Sequence, residues 1–142
     1  MKPHQISVSK TVSESDVYLF AGITGDFSPN HVDEDYMSRT AFGHRIAHGA
    51  LLVGYMSRAS TMIVETGLSL GPDMTPVSLG YDRVRFLKPV FIGDTITVNY
   101  VVTGIDNAKA RSEAKVEVTN QHDETVAVAT HIMKWVRNPA HP

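Results

Sequence analysis

Apolar residues along this chain first alternate, then recur at helical spacing, then alternate again almost to the end. Ile6 and Val8 alternate with polar neighbours between Gln5 and Thr11, which predicts a short strand. Ser13-Glu14-Ser15-Asp16 sets a hydroxyl at an N-cap and an acid three residues on. A helix should open there and run through Val17, Leu19, Phe20 and Ile23 to Gly25. Asp26 to Asn30 reads as irregular, because Pro29 disfavours helical backbone at Ser28. Asp33 should cap a short helix through Tyr36 and Met37, and Thr40 to Ala47 should be a loop. Leu51, Leu52, Tyr55, Met56, Ala59, Met62 and Ile63 then predict a long helix from His48 to Glu65. Ala50, Val53 and Val64 make it apolar on further faces, so it should be buried.

After Gly67 the period falls to two. Val77, Leu79, Tyr81, Val84 and Phe86 suggest a strand that Lys88-Pro89 ends. Ile92-Gly93-Asp94 is a turn, and Ile96, Val98, Tyr100 and Val102 mark a strand from Thr95 to Thr103. Asp106 to Lys109 is a hairpin turn, followed by a strand from Ala110 to Thr119 and another turn at Gln121 to Glu124. The last strand runs from Thr125 to Val136, and Asn138 to Pro142 should be a disordered tail. The alternation predicts an antiparallel sheet with one solvated face. One apolar helix before a strand meander is best buried by wrapping the sheet around it. The expected fold class is therefore α+β, one domain over residues 1–142.

Composition narrows the function. Thirteen basic residues against fifteen acidic ones give a net charge of −2, and no basic run stands out, so nucleic acid is not an expected partner. The absence of cysteine excludes disulfides, thiolate metal sites and a cysteine nucleophile, and fits a reducing, cytoplasmic setting. The first residues hold no apolar core of a secretory signal. The stretch Ala47 to Val64 is broken by His48, Ser57, Arg58, Ser60 and Thr61, so no membrane association is expected.

Three segments carry a family resemblance: Ala21-Gly22-Ile23-Thr24-Gly25-Asp26-Phe27-Ser28-Pro29-Asn30-His31-Val32-Asp33, Phe42-Gly43-His44-Arg45-Ile46-Ala47-His48-Gly49-Ala50-Leu51, and Val84-Arg85-Phe86-Leu87-Lys88-Pro89-Val90-Phe91-Ile92-Gly93-Asp94. Together they resemble the MaoC-like (R)-specific enoyl-CoA hydratases and dehydratases, whose hot-dog fold is a sheet wrapped around one helix. The resemblance implies reversible hydration of trans-2-enoyl-CoA to the (3R)-hydroxyacyl-CoA, with coenzyme A as part of the substrate and no further cofactor. It also implies a homodimer or a dimer of dimers, joined edge to edge with the acyl tunnel along the interface.

Such a hydration needs a base to take a proton from water, an acid to deliver one to C2, and donors for the charge that develops on the thioester oxygen. Asp26 and His31 flank the Pro29 turn, which can bring both over one water. Partial burial can draw a carboxyl and an imidazole pKa towards neutrality. Spacing alone leaves open a turn-capping Asp and an ordinary loop His; the resemblance makes them the catalytic pair. It also assigns the Gly49 amide, at a helix N-terminus, to the thioester oxygen. Ser57 matches a serine near the catalytic pair, where it can orient Asp26 or touch substrate, or simply bond its own helix. His48 is expected to pack the loop. Arg83, Arg85 and Lys88 are candidates for the coenzyme A phosphates, or else a solvated strand face. His44 and His48 with Asp33 and Asp35 make a metal site imaginable, but their loop context argues against one, and no metal is expected.

The alternatives are a (3R)-hydroxyacyl dehydratase acting on carrier-protein thioesters, a hot-dog thioesterase, and a non-catalytic acyl-thioester-binding domain. A thioesterase would place a carboxylate on the central helix, and none lies between Gly49 and Val64. A non-catalytic member would be expected to have lost Asp26 or His31.

Overall fold

Ser13 opens the first helix in both directions at once: its hydroxyl accepts the Asp16 amide at 3.1 Å, and the Asp16 carboxylate accepts the Ser13 amide at 3.1 Å. That reciprocal cap fixes α1 (Glu14–Thr24), and Gly25 closes it at φ 83°, a left-handed turn that glycine takes without steric cost. The computed structural model describes residues 4–140; the first three residues and the end of the predicted tail, His141 and Pro142, lie outside the described residues. The elements run β1 (Gln5–Thr11), α1, α2 (Pro29–Val32), α3 (Glu34–Ser38), α4 (Gly49–Glu65), β2 (Met74–Phe86), β3 (Thr95–Asp106), β4 (Arg111–Thr119) and β5 (Thr125–Arg137).

The five strands form one antiparallel sheet in the order β1-β3-β4-β5-β2. Only β3, β4 and β5 are a meander. β2 pairs with β5 rather than with β3, so the expectation of a meander through all four late strands in chain order is corrected. The sheet curls around α4, whose Leu52, Met56, Ala59 and Ile63 are buried against Ile96, Val98, Val116 and Ala129. Burying a side chain of this size contributes roughly 1.5–3 kcal/mol, enough to hold helix and sheet together. No described helix is long and apolar enough to cross a membrane.

Three local readings change. Pro29 does not keep the Asp26–Asn30 stretch irregular throughout. It occupies the first position of α2, where its missing N–H is no loss, and Ser28 caps it. In β2, register shifts at Ser78/Gly80 and Asp82/Arg85 switch the inward face, so Val77 and Leu79 point outwards on an edge strand while Tyr81 packs inwards. Asn138 is not free either: its amide donates to the Asp73 carbonyl at 2.7 Å, and its side chain accepts the Thr75 hydroxyl.

Candidate active site

The end of α1 and the start of α4 face each other across the loop from Gly25 to His48. Cross-links within that loop fix its shape. The Ile46 amide donates to the Asn30 carbonyl at 2.9 Å and the Ala47 amide to Val90 at 2.7 Å. Arg45 reaches Glu14 on α1 at 2.8 Å, while its own amide donates to Glu34 on α3 at 2.8 Å.

His31 sits on α2 and is buried to 8% exposure. Its Nδ1 lies 2.7 Å from the Ile46 carbonyl oxygen. A carbonyl only accepts, so Nδ1 carries the proton and Nε2 keeps a free lone pair. Asp26 is exposed, just beyond the Gly25 turn, and its Oδ1 accepts the Ser28 amide at 3.3 Å. One ligating atom from each of Asp26, His31 and His48 lies within 4.8 Å of the other two. Acceptors at that separation can share a single water, at about 2.8 Å from each.

His48 is the residue whose place sequence reasoning underrated. It is more than loop packing: its ring stacks on His31 with centroids 3.7 Å apart, and its Nε2 donates to the Asp26 backbone carbonyl at 2.9 Å. It therefore ties both members of the pair to the first turn of α4. Its Nδ1 is buried with no hydrogen-bond partner among the described residues. The signal was present in its position, directly before Gly49 and one residue after the buried Ala47. The same cluster is the one place where His and Asp converge closely enough for a divalent cation among the described residues. Two of its nitrogens are already committed to backbone carbonyls, His31 Nδ1 and His48 Nε2, leaving at most one nitrogen from each ring. The cluster considered from sequence does not form: His44 pairs with Glu34 at the surface, at 3.2 Å.

Gly49 is the first residue of α4 and lines a cleft of about 330 Å³ with His31, Phe42, Leu52, Phe86, Leu87 and Lys88. A Cβ on Gly49 would stand 2.5 Å from the Phe86 ring, so glycine lets that ring rest directly on the backbone, and any side chain there must displace it. The leading amides of a helix have no intrahelical acceptor, which leaves Gly49 N–H available to a ligand oxygen. Phe42, Phe86 and Leu87 escaped the sequence reading as cleft residues; all three are about half exposed, which gives the cleft an apolar wall.

The remaining candidates separate. Ser57 lies two turns along α4, exposed, with its carbonyl accepting the Ser60 hydroxyl at 2.7 Å, and no bond joins it to Asp26. Lys88 borders the cleft and forms an ion pair with Glu124. Arg85 is exposed and folds onto the Val84 carbonyl at 2.7 Å. Arg83 does not join the cleft: it takes φ 53° in the β2 irregularity and lines a hollow with Thr103, Glu113 and Lys115.

With this geometry in hand, the comparisons with known proteins decide the family. The model of the MaoC like domain matches residues 2–126. The chain belongs to the MaoC-like family. It is 46% identical over 99 residues to an (R)-specific enoyl-CoA hydratase of Rhodospirillum rubrum, covering 70% of this chain and 63% of that protein. It is 37% identical over 105 residues to a 3-hydroxybutyryl-CoA dehydratase of Methylorubrum extorquens, covering 74% of this chain and 62% of that protein. The chain thus spans less than two thirds of the length of these relatives. Among solved structures, an (R)-hydratase of Aeromonas caviae involved in PHA biosynthesis superimposes with a TM-score of 0.82 at 25% identity, over 98% of both chains. The hot-dog fold of the MaoC-like family is therefore the fold of this chain.

Proposed function

We propose that this MaoC-like protein is a hydro-lyase that adds water to trans-2-enoyl-CoA to give the (3R)-hydroxyacyl-CoA, reversibly. The observation that carries the reading is the convergence of Asp26 and a His31 with one unengaged nitrogen beside the Gly49 amide, in a cleft with an apolar wall. A water bound between the two acceptors donates both its protons and keeps a lone pair for C3 of the enoyl group. One of its protons passes through the pair to C2, the other stays on the new C3 hydroxyl, and no other reactant is consumed. Charge that gathers on the thioester oxygen meets the Gly49 N–H and the positive end of α4. Asp26 and His31 exchange the roles of acceptor and donor between the forward and reverse reactions.

Lys88 at the cleft border, with exposed Arg85 nearby in sequence, is the basic ground we assign to the coenzyme A phosphates. The apolar outward residues Val77 and Leu79 on the unpaired edge of β2 favour an edge-to-edge homodimer, since an exposed apolar edge strand otherwise invites uncontrolled pairing. Hydration is preferred over thioester hydrolysis because α4 bears no carboxylate until Glu65, its last residue.

The direct test follows loss of the enoyl-thioester absorbance with crotonyl-CoA and resolves the product's stereochemistry. Rapid formation of the (3R) product supports the reading. An (S) product, or free coenzyme A released without hydration, overturns it.

A further inference from the structure

A second polar cluster lies inside the fold, on the sheet face that covers α4. His131 on β5 is fully buried, and both its nitrogens are engaged: Nδ1 with the Tyr100 hydroxyl at 2.7 Å and Nε2 with the Ser78 hydroxyl at 2.8 Å. Tyr81, its cross-strand neighbour on β2, stacks on the His131 ring with centroids 4.4 Å apart. The Tyr81 hydroxyl is buried and has no hydrogen-bond partner among the described residues. Burial raises the pKa of that phenol, and the nearby hydroxyls of Ser60, Ser57 and Ser78 draw it part of the way back, although none reaches it with hydrogen-bond geometry.

Leaving a buried hydroxyl unpaired is destabilising, so its persistence calls for a partner the free protein lacks. Gly49, Val53, Ser57 and Ser60 follow one another at helical spacing along a single face of α4. At one end of that face the Phe86 ring of β2 covers Gly49. Further along, Tyr81 and Ser78 of the same strand stand near Ser57 and Ser60. The seam between α4 and β2 therefore leads from the Gly49 amide to the Tyr81 hydroxyl, over about 12–16 Å of helix axis at 1.5 Å per residue. Helical side chains lean back towards the N-terminus, so the reach from the thioester is somewhat less.

Resting on the hydratase reading, we propose that this seam is a subsite for the distal acyl chain, and that Tyr81 selects enoyl thioesters bearing a neutral oxygen, a hydroxyl or a keto group, far from the thioester. The phenol can donate to a keto oxygen, or both donate to and accept from a hydroxyl. A terminal carboxylate is disfavoured. The cluster holds no Lys or Arg, and burial depresses the His131 pKa to about 4, so no cation is present at neutral pH.

The test compares kcat/KM for pairs of trans-2-enoyl-CoA of about six, eight and ten carbons, a range suited to this span. One member of each pair carries a terminal hydroxyl and the other a terminal methyl. The wild type should favour the hydroxylated member by about tenfold at the best-fitting length, the value of one hydrogen bond. Tyr81→Phe, checked for an unchanged melting transition, should bring that ratio to about one or below. A wild type that prefers the methyl member at every length overturns the subsite, whatever the variant does. So does a ratio that Tyr81→Phe leaves in place. Crotonyl-CoA, too short to reach Tyr81, separates the two claims: if it is hydrated while the ratios fail, only the subsite falls; if no enoyl-CoA is hydrated, both fall.

Discussion

His31 and His131 are both buried histidines on well-packed elements, yet they sit in opposite chemical situations. His131, in the middle of the sheet, has a hydroxyl on each nitrogen, from Tyr100 and Ser78. His31, in the loop between α1 and α4, has one nitrogen tied to the Ile46 carbonyl, while its ring lines an open cleft. A histidine with both nitrogens engaged has nothing left to exchange a proton with. One with a single nitrogen fixed by backbone is oriented and still able to react. Burial of the histidine does not separate the two regions; the spare nitrogen and the access to a cleft do.

The sharpest way to break this contrast is at the reactive end. Asp26→Asn and His31→Ala should each lower kcat/KM with crotonyl-CoA by about 10²–10⁴-fold, the usual worth of a positioned acid–base group. His131→Gln should not approach that loss. Steady-state kinetics on the folded variants decide the matter.

Next is the Gly49 amide, which a pair of variants isolates. Gly49→Ala adds only a Cβ against Phe86, whose half-exposed ring can swing aside. Gly49→Pro adds a comparable group and also removes the N–H, at a helix position that tolerates proline and after a His48 whose ψ of 134° suits a following proline. The proline variant should be slower than the alanine variant by about 10²–10³-fold in kcat. Equal rates would mean that the amide does not meet the developing charge.

At the structural end the effect is on stability and depends on pH. Burial holds the His131 pKa near 4, below the 6.5 of a free imidazole. The unfolded chain therefore binds a proton that the folded chain refuses. The stability contributed by a neutral His131 is fully present above about pH 6.5 and is lost as pH falls towards about 4, by on the order of 3 kcal/mol in total. Urea unfolding across that window should show the decline, and His131→Gln should flatten it while starting from a lower stability at pH 7.

How much of this could be read in the sequence follows the same contrast. The capping box at Ser13, the helix ending at Gly25 and the buried stripe of α4 rest on local chemistry and were legible. So was the approach of Asp26 to His31 in space, because the Pro29 turn that brings the two together lies within six residues. The place of β2 was not legible, since its pairing with β5 is a long-range choice and its two register shifts reverse which side chains face inwards. His48 was missed as a tie between the pair, because its partner is a backbone carbonyl twenty-two positions away, which side-chain patterns do not record. The His131 cluster hid for a related reason: a histidine at an inward position of an alternating strand gives no sign of which hydroxyls the neighbouring strands will supply.

Two smaller effects sharpen the comparison further. His48→Phe keeps a ring to stack on His31 but removes the bond to the Asp26 carbonyl. It should cost about ten- to a hundredfold in kcat/KM by loosening the geometry of the pair, with little change in melting temperature. Leu79→Glu, on the outer edge of β2, should leave the stability of the subunit within about 0.5 kcal/mol. It should halve the mass measured by light scattering if the edge is the dimer contact.

The most direct test of the account is a double-mutant cycle on the pair, measured as kcat/KM for crotonyl-CoA in the wild type, Asp26→Asn, His31→Ala and the double variant. If both residues hold one water, removing either already loses it, so the double variant should be no slower than the slower single variant. Losses that multiply would show that Asp26 and His31 act on separate steps, contradicting the shared water on which the account rests.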